Sequence, residues 1–274
     1  MPIIFLEDWQ RFPEAIVDLQ TRNESFLELA AKYREMGVKN HAFLLALHDR
    51  RLQGIDPHDP NLTIEEISMV LLEAKINPWY FLRECLKVPP TSGNVGVTFG
   101  AHRGNIALWW LFMCHITMIL IQIRQTGKSV AADSLSTWLM NIRCNNTLIN
   151  LLTKDDKLRQ ENIKRIKRME EYLPYYMQQR TKHDIANTEM LAISANGNSF
   201  RAHVPQKSEK DALKVGRGMT SPIFFIDEAP FQPNIGISMA AALTGGLAAR
   251  DEARRPASTQ SDGRQGNRIS RPKI

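Results

Sequence analysis

The chain has 274 residues, 43% apolar and 23% charged, with a formal net charge of +6. That balance excludes a disordered polymer and supplies apolar surface for one substantial core with a smaller accessory region. The odd set Cys85, Cys114 and Cys144 is too widely spaced for a zinc knuckle or a disulfide framework, and the short apolar start at Ile3–Leu6 has no basic stretch before it, so a non-secreted, cytoplasmic protein is expected. The modest positive excess is compatible with a polyanionic partner without singling one out.

The first ninety or so residues read as helical. Phe26, Leu29, Ala30 and Tyr33 recur at the helical period, and Ala42–Leu52 forms a second apolar stretch. After a turn-rich break at Gly54–Pro60, Thr63 and Glu66 stand at the capping-box spacing and open a helix expected to run to Ile76. Pro78 starts another short helix. Pro89, Pro90, Gly93, Gly96 and Gly100 then mark a boundary, since neither residue type propagates regular structure cheaply.

Beyond about residue 96 the pattern alternates strand and helix, which predicts an α/β fold with a mostly parallel central sheet flanked by helices. The apolar run 106–121 is too short for a membrane span and contains His115; it parses better as a helix to Met113 followed by a buried central strand over Ile116–Ile123. The remaining strands are expected at Thr147–Leu152, Met190–Ser194, Phe200–Val204 and Ile223–Ile226. Asn196-Gly197 suits a hairpin turn. Between the strands, Val130, Leu135, Trp138, Leu139 and Ile142 make one helical core face, and Ile163, Ile166, Met169 and Leu173 make another.

Two motifs carry chemistry. The expected strand at Ile116–Ile123 runs into Arg124-Gln125-Thr126-Gly127-Lys128-Ser129, and a helix starting there would turn the backbone amides of Thr126 to Ser129 toward phosphates, with Lys128 on the outer phosphates and Ser129 on magnesium. The strict P-loop pattern fails by one residue, because Gln122 stands where a glycine is usual. Near the other end, Ile223–Ile226 delivers Asp227 and Glu228 to the edge of a sheet, where Asp227 would hold magnesium and Glu228 would orient or deprotonate water. Taken singly, the first motif is also an ordinary turn with a solvated lysine and the second an ordinary helix cap; their pairing in one chain favours a P-loop NTPase.

These residues carry a resemblance. Arg124–Ser129 after a strand, Ile223–Ala229, and the stretches Asn77–Glu84 and Ala101–Ile106 together resemble the large terminase subunits of tailed phages, the motors that package viral genomes. The resemblance covers roughly residues 40–255 and implies a helical N-terminal subdomain over 1–95 and a P-loop ATPase domain over 96–255. It further implies Mg2+-dependent ATP hydrolysis, double-stranded DNA as the polymer moved, a portal protein and a small terminase subunit as partners, and a homo-oligomeric ring acting transiently on proheads in the host cytoplasm. Asn105 stands where the family reads adenine with a polar residue, more often Gln, and Arg124 where it contacts the terminal phosphate.

Other basic residues leave alternatives open. Arg217, in a polar segment with Lys207, Lys210 and Lys214, would reach a nucleotide of its own or a neighbouring subunit, or belong to a solvated loop. Lys154, Lys157, Arg159, Lys164, Arg165, Lys167 and Arg168 form a basic helix suited to DNA phosphates or simply to solvent. After a helical stretch at Asn234–Ala249, the run 250–274 is polar, with a disordered tail expected over 256–274 and no strand leading into Ser258-Thr259. The expectation is a shortened motor without the family's coupling strand or nuclease activity. The rivals are a helicase-like DNA-translocating ATPase and a non-hydrolysing remnant that binds nucleotide or DNA.

Overall fold

The computed structural model describes residues 11–122, 126–218 and 221–242, with only the backbone described over 214–218. In chain order the first elements are β1 (Ile16–Val17), α1 (Glu24–Glu35) and β2 (Ala46–Leu47), followed by α2 (Ile64–Ile76), α3 (Pro78–Tyr80), β3 (Lys87–Val88) and β4 (Val97–Thr98). Then come α4 (Arg103–Met113), α5 (Lys128–Trp138), β5 (Leu148–Leu152), α6 (Asp156–Glu171), β6 (Met190–Ile193), β7 (Asn198–His203), α7 (Glu209–Gly218) and β8 (Ile223–Ile226).

Local chemistry explains several boundaries. Thr63 and Glu66 form the reciprocal capping box, with Glu66 N donating to Thr63 Oγ1 at 3.2 Å and Thr63 N to Glu66 Oε2 at 2.8 Å, so α2 begins and ends where expected. At the end of α4, His115 adopts φ 58°, Ile116 N bonds Leu111 O at 3.0 Å and His115 N bonds Phe112 O at 2.9 Å, a Schellman closure built on a residue other than glycine. In contrast, Ala42–Leu52 is not a helix. It breaks into a 3₁₀ turn at Phe43–Leu45, the strand β2 paired antiparallel with β1, and a second turn at Arg50–Leu52. Apolar content drew this segment into the core, and pairing with β1 set its backbone.

The main sheet has the order β6-β7-β5-β8, with β5 parallel to both β7 and β8 and β6 antiparallel to β7. It is therefore a small mixed sheet in a mixed helix-and-sheet fold. The hairpin joining β6 to β7 uses Gly197 at φ 70°, and a Cβ there would lie 2.2 Å from Asn146 Oδ1. Helices α5 and α6 pack against each other, and α6 against β7; of the faces expected, Leu135, Trp138, Leu139, Ile163, Ile166, Met169 and Leu173 are buried, while Val130 and Ile142 are partly buried.

One expected strand does not form. Residues 116–122 have no regular structure, and Ile119 and Ile121 are 89% and 91% exposed. An apolar run becomes a strand only when a neighbouring backbone edge takes its amides and carbonyls; among the described residues β8 pairs with β5 alone. The polar segment around Lys210 is likewise not a loop, since Glu209–Gly218 is helical.

The hydrophobic core is continuous across the boundary expected near residue 95. A single cluster joins Phe26, Leu44, Trp79 and Phe81 to Trp109, Trp138, Ile149 and Phe200, and Trp138 Nε1 donates to Ala74 O at 2.8 Å from one side to the other. No described helix is long and apolar enough to cross a membrane. Residues 235–242 are helical, and the expectations for 243–274, including the polar tail, fall outside the described residues.

Candidate functional site

The two motifs meet. Gly127, at φ 73°, is the N-cap of α5, so Lys128 and Ser129 occupy the first turn of a helix whose amides point toward the sheet edge. From that turn the Ser129 hydroxyl donates to Asp227 Oδ2 at 2.9 Å across 98 residues of sequence. Among the described residues no carboxylate forms an ion pair with the Lys128 ammonium.

Asp227 is held by the strand next door. Its amide donates to Leu152 O at 2.9 Å, and the buried Gln232 side chain donates to Asp227 O at 2.6 Å and Leu152 O at 3.3 Å, fastening the turn after β8 to the end of β5. Glu228 then sits at φ 59° and ψ 38°, a left-handed conformation costing roughly 1–2 kcal/mol for a residue with a Cβ. The reversal directs its side chain to Lys154, whose Nζ lies 3.6 Å from Glu228 Oε2 and 5.9 Å from the Phe231 ring centroid. Lys154, Phe231 and Gln232 carry no motif that marks them as site residues in the sequence. In the sequence Lys154 is one of several cations in 154–168, and no local signal ties it to Glu228.

Behind the Ser129–Asp227 pair lies Asp133, one turn along α5 and 3% exposed. Burial pushes its carboxyl up to about 7, opposed by the Arg165 guanidinium that bonds it and reinforced by the charge of Asp227. Thus α6 contributes a cation directly beneath the site.

A cavity of about 380 Å³ adjoins the loop, lined by Val88, Phe99, Gly100, His102, Asn105, Thr126, Gly127 and Val130. That is within the range of about 300–1,000 Å³ usual for small-molecule sites. Its lining combines the apolar side chains of Val88, Phe99 and Val130 with the polar ones of His102, Asn105 and Thr126. Asn105 reaches it, but its amide is engaged: Oδ1 accepts from His102 N at 2.9 Å and Nδ2 donates to Gly100 O at 2.6 Å. His102 Nδ1 accepts from the amides of Gly104 and Asn105 at 3.2 and 3.4 Å, which leaves the neutral ring's proton on Nε2. That nitrogen lies 3.8 Å from where a Cβ on Gly127 would stand.

Gln122, the departure from the strict motif, has a packing role. A Cβ on Gly104 would lie 2.1 Å from Gln122 Nε2, so the glutamine rests where Gly104 leaves room, and Thr126 Oγ1 donates to Gln122 Oε1 at 3.0 Å. The ends of the loop are thereby tied together. Arg124 and Gln125 lie outside the described residues, as does the side chain of Arg217, whose backbone belongs to α7.

The other resembling stretch, Asn77–Glu84, is interior framework. Asn77 Nδ2 bonds Ala46 O and Glu73 Oε1, both at 2.7 Å, and the buried Arg83 donates to Leu44 O and Ala46 O at 3.1 and 3.3 Å. Much of the basic character of α6 and its approach is also consumed internally. Lys154 faces Glu228, Arg159 pairs with Asp156 and Glu189, Arg165 with Asp133, and Lys167 donates to Ala186 O at 2.6 Å. Lys157, Glu161, Lys164 and Arg168 share the outward face at helical spacing, with Lys157 and Lys164 exposed.

No group of three His, Cys, Asp or Glu among the described residues forms a metal site by itself. A hydroxyl and a carboxylate converging at 2.9 Å instead fit a hard cation such as Mg2+, which usually combines one or two protein oxygens with waters and substrate phosphates. The chain matches no protein-family model and no curated protein.

Proposed function

We propose that this chain is the ATP-hydrolysing portion of a large terminase subunit, a P-loop motor that moves double-stranded DNA. The Ser129–Asp227 contact carries the reading, because it unites a lysine-bearing helix start with an acidic strand end through the two oxygens magnesium would need. In this reading the cavity beside the loop takes the adenine, with Asn105 shaping its wall and retaining one amide hydrogen for the base. Lys128 and the first amides of α5 hold the phosphates, joined by Arg124 and Gln125 of the loop. Ser129 and Asp227 hold magnesium, which neutralises phosphate charge when bound, and Glu228 orients the attacking water.

Binding and turnover test it. Lys128→Ala is expected to weaken Mg2+·ATP binding by roughly 10- to 100-fold, the loss of a charge-assisted contact. Glu228→Gln is expected to lower steady-state hydrolysis by about 10²–10⁴-fold while leaving binding intact. ATP binding unchanged in Lys128→Ala sinks the proposal. Packaging with portal and proheads, against strand separation of a duplex, distinguishes the motor from a helicase-like translocase.

A second reading, a chain that binds nucleotide without hydrolysing it, is favoured by one observation. The outer edge of β8 has no strand beside it among the described residues, so the turn bearing Asp227 and Glu228 is braced by β5 alone. Tight Lys128-dependent binding with no turnover would select it.

A further inference from the structure

We propose that Lys154 is a positioning residue for Glu228, holding the carboxylate at the strand end where it would orient the attacking water; this rests on the nucleotide-hydrolysis reading above. Leu152 and Ile226 are register partners on parallel neighbours β5 and β8. Lys154 and Glu228 each lie two residues further on, so the chain brings them side by side just past the ends of strands about 4.8 Å apart. The left-handed turn at Glu228 then aims its carboxylate across at the lysine instead of along the strand.

The partnership is selective. The carboxylates nearest to Lys154 in sequence are otherwise engaged: Asp155 Oδ1 accepts from Leu158 N at 2.8 Å as the cap of α6, and Asp156 pairs with Arg159. Lys154 reaches past them to Glu228, and the Phe231 ring flanks its ammonium at 5.9 Å. Phe231, 64% exposed, is a large apolar residue for which packing alone gives no reason; as a rest for the ammonium it acquires one.

The pair is too exposed to matter much for stability, with side chains 40% and 27% accessible. Its effect is geometric. A glutamate has three rotatable side-chain bonds, and a general base works only when its carboxylate stays within hydrogen-bond reach of the water. No proton passes to or from Lys154. The lysine narrows the orientations of Glu228 and leaves nucleotide binding to Lys128 and the loop.

The test uses the full chain with Mg2+ and ATP, comparing Lys154→Met, Lys154→Arg, Glu228→Gln and the Lys154→Met/Glu228→Gln double variant. Lys154→Met is expected to lower kcat roughly ten-fold, as misplacement of a reacting group does, with KM within about two-fold of the parent. Lys154→Arg should recover most of the loss, and the double variant should be no slower than Glu228→Gln. An Mg2+·ADP–aluminium fluoride complex should bind Lys154→Met about ten-fold more weakly while ADP binds equally, a difference confined to the transition-state analogue.

An unchanged or raised kcat in Lys154→Met, or a loss that multiplies with that of Glu228→Gln, overturns the proposal. If the parent binds nucleotide without turning it over, equal affinity of parent and variant for the fluoride complex overturns it instead. Absence of Lys128-dependent binding in the parent would bring down the nucleotide reading itself, and this assignment with it.

Discussion

The region around Trp79 and Arg83 and the region around Ser129 and Asp227 use buried polarity in opposite ways. In the first, Arg83 is enclosed, flanked by Asp18 and Glu84, bonded to two carbonyls and stacked near Tyr80, and the side chains beside it are fully packed. In the second, β8 is half-buried along its whole length, Glu228 and Lys154 are solvent-accessible, and Lys128 forms no ion pair among the described residues. The first region is fixed by enclosed ion pairs and close packing, even though Trp79 Nε1 and the Tyr80 hydroxyl are buried there without a hydrogen-bond partner among the described residues, whereas the second leaves charged groups accessible to a ligand. Stability and chemistry are therefore expected to respond to different substitutions.

The largest effect should come from Arg83→Ala, which strands buried carboxylates and should cost about 3–5 kcal/mol in urea denaturation. A loss within the range of ordinary surface substitutions would erase the contrast between the regions. Next is Asp133, a buried carboxylate behind the Ser129–Asp227 pair. Its carboxyl is raised from the ordinary 3.8 to about 7, so the folded chain holds this proton more tightly than the unfolded one. The stability it contributes is fully present below 3.8 and is lost as pH rises through about 7. A decline on the order of 2–4 kcal/mol is expected across that window, and Asp133→Asn should flatten it in denaturation midpoints measured at both ends.

Asp227→Asn should leave the unfolding midpoint nearly unchanged yet lower Mg2+-dependent ATP affinity roughly ten-fold, the inverse pattern to Arg83→Ala. The smallest change is Thr63→Ala, which removes one side of the capping box and should cost about 1 kcal/mol with no effect on nucleotide.

Legibility in the sequence followed the range of the interactions. The capping box, the Pro78 helix start, and the strands β5 to β8 were readable because each rests on spacing within a few residues. The same reasoning misjudged Ala42–Leu52 and residues 116–122, where apolar content was plain but the backbone partner was remote or lacking among the described residues. At the site, Lys128, Ser129, Asp227 and Glu228 could be named as candidates from motif and strand context. Asn105 could be placed near the loop, but its engagement with Gly100 and His102 depends on a turn whose exact course the spacing does not reveal.

By itself, the sequence determined where the helix bearing Lys128 begins and where the strand carrying Asp227 ends, since glycine conformation, apolar runs and local hydrogen bonds act within a single segment. Only the tertiary structure decided that Ser129 faces Asp227, that Lys154 faces Glu228 across the β5–β8 register, and that Gln122 lies against Gly104. Those contacts depend on how distant segments pack and pair, and such pairing is a property of the assembled sheet and core rather than of any short stretch of chain.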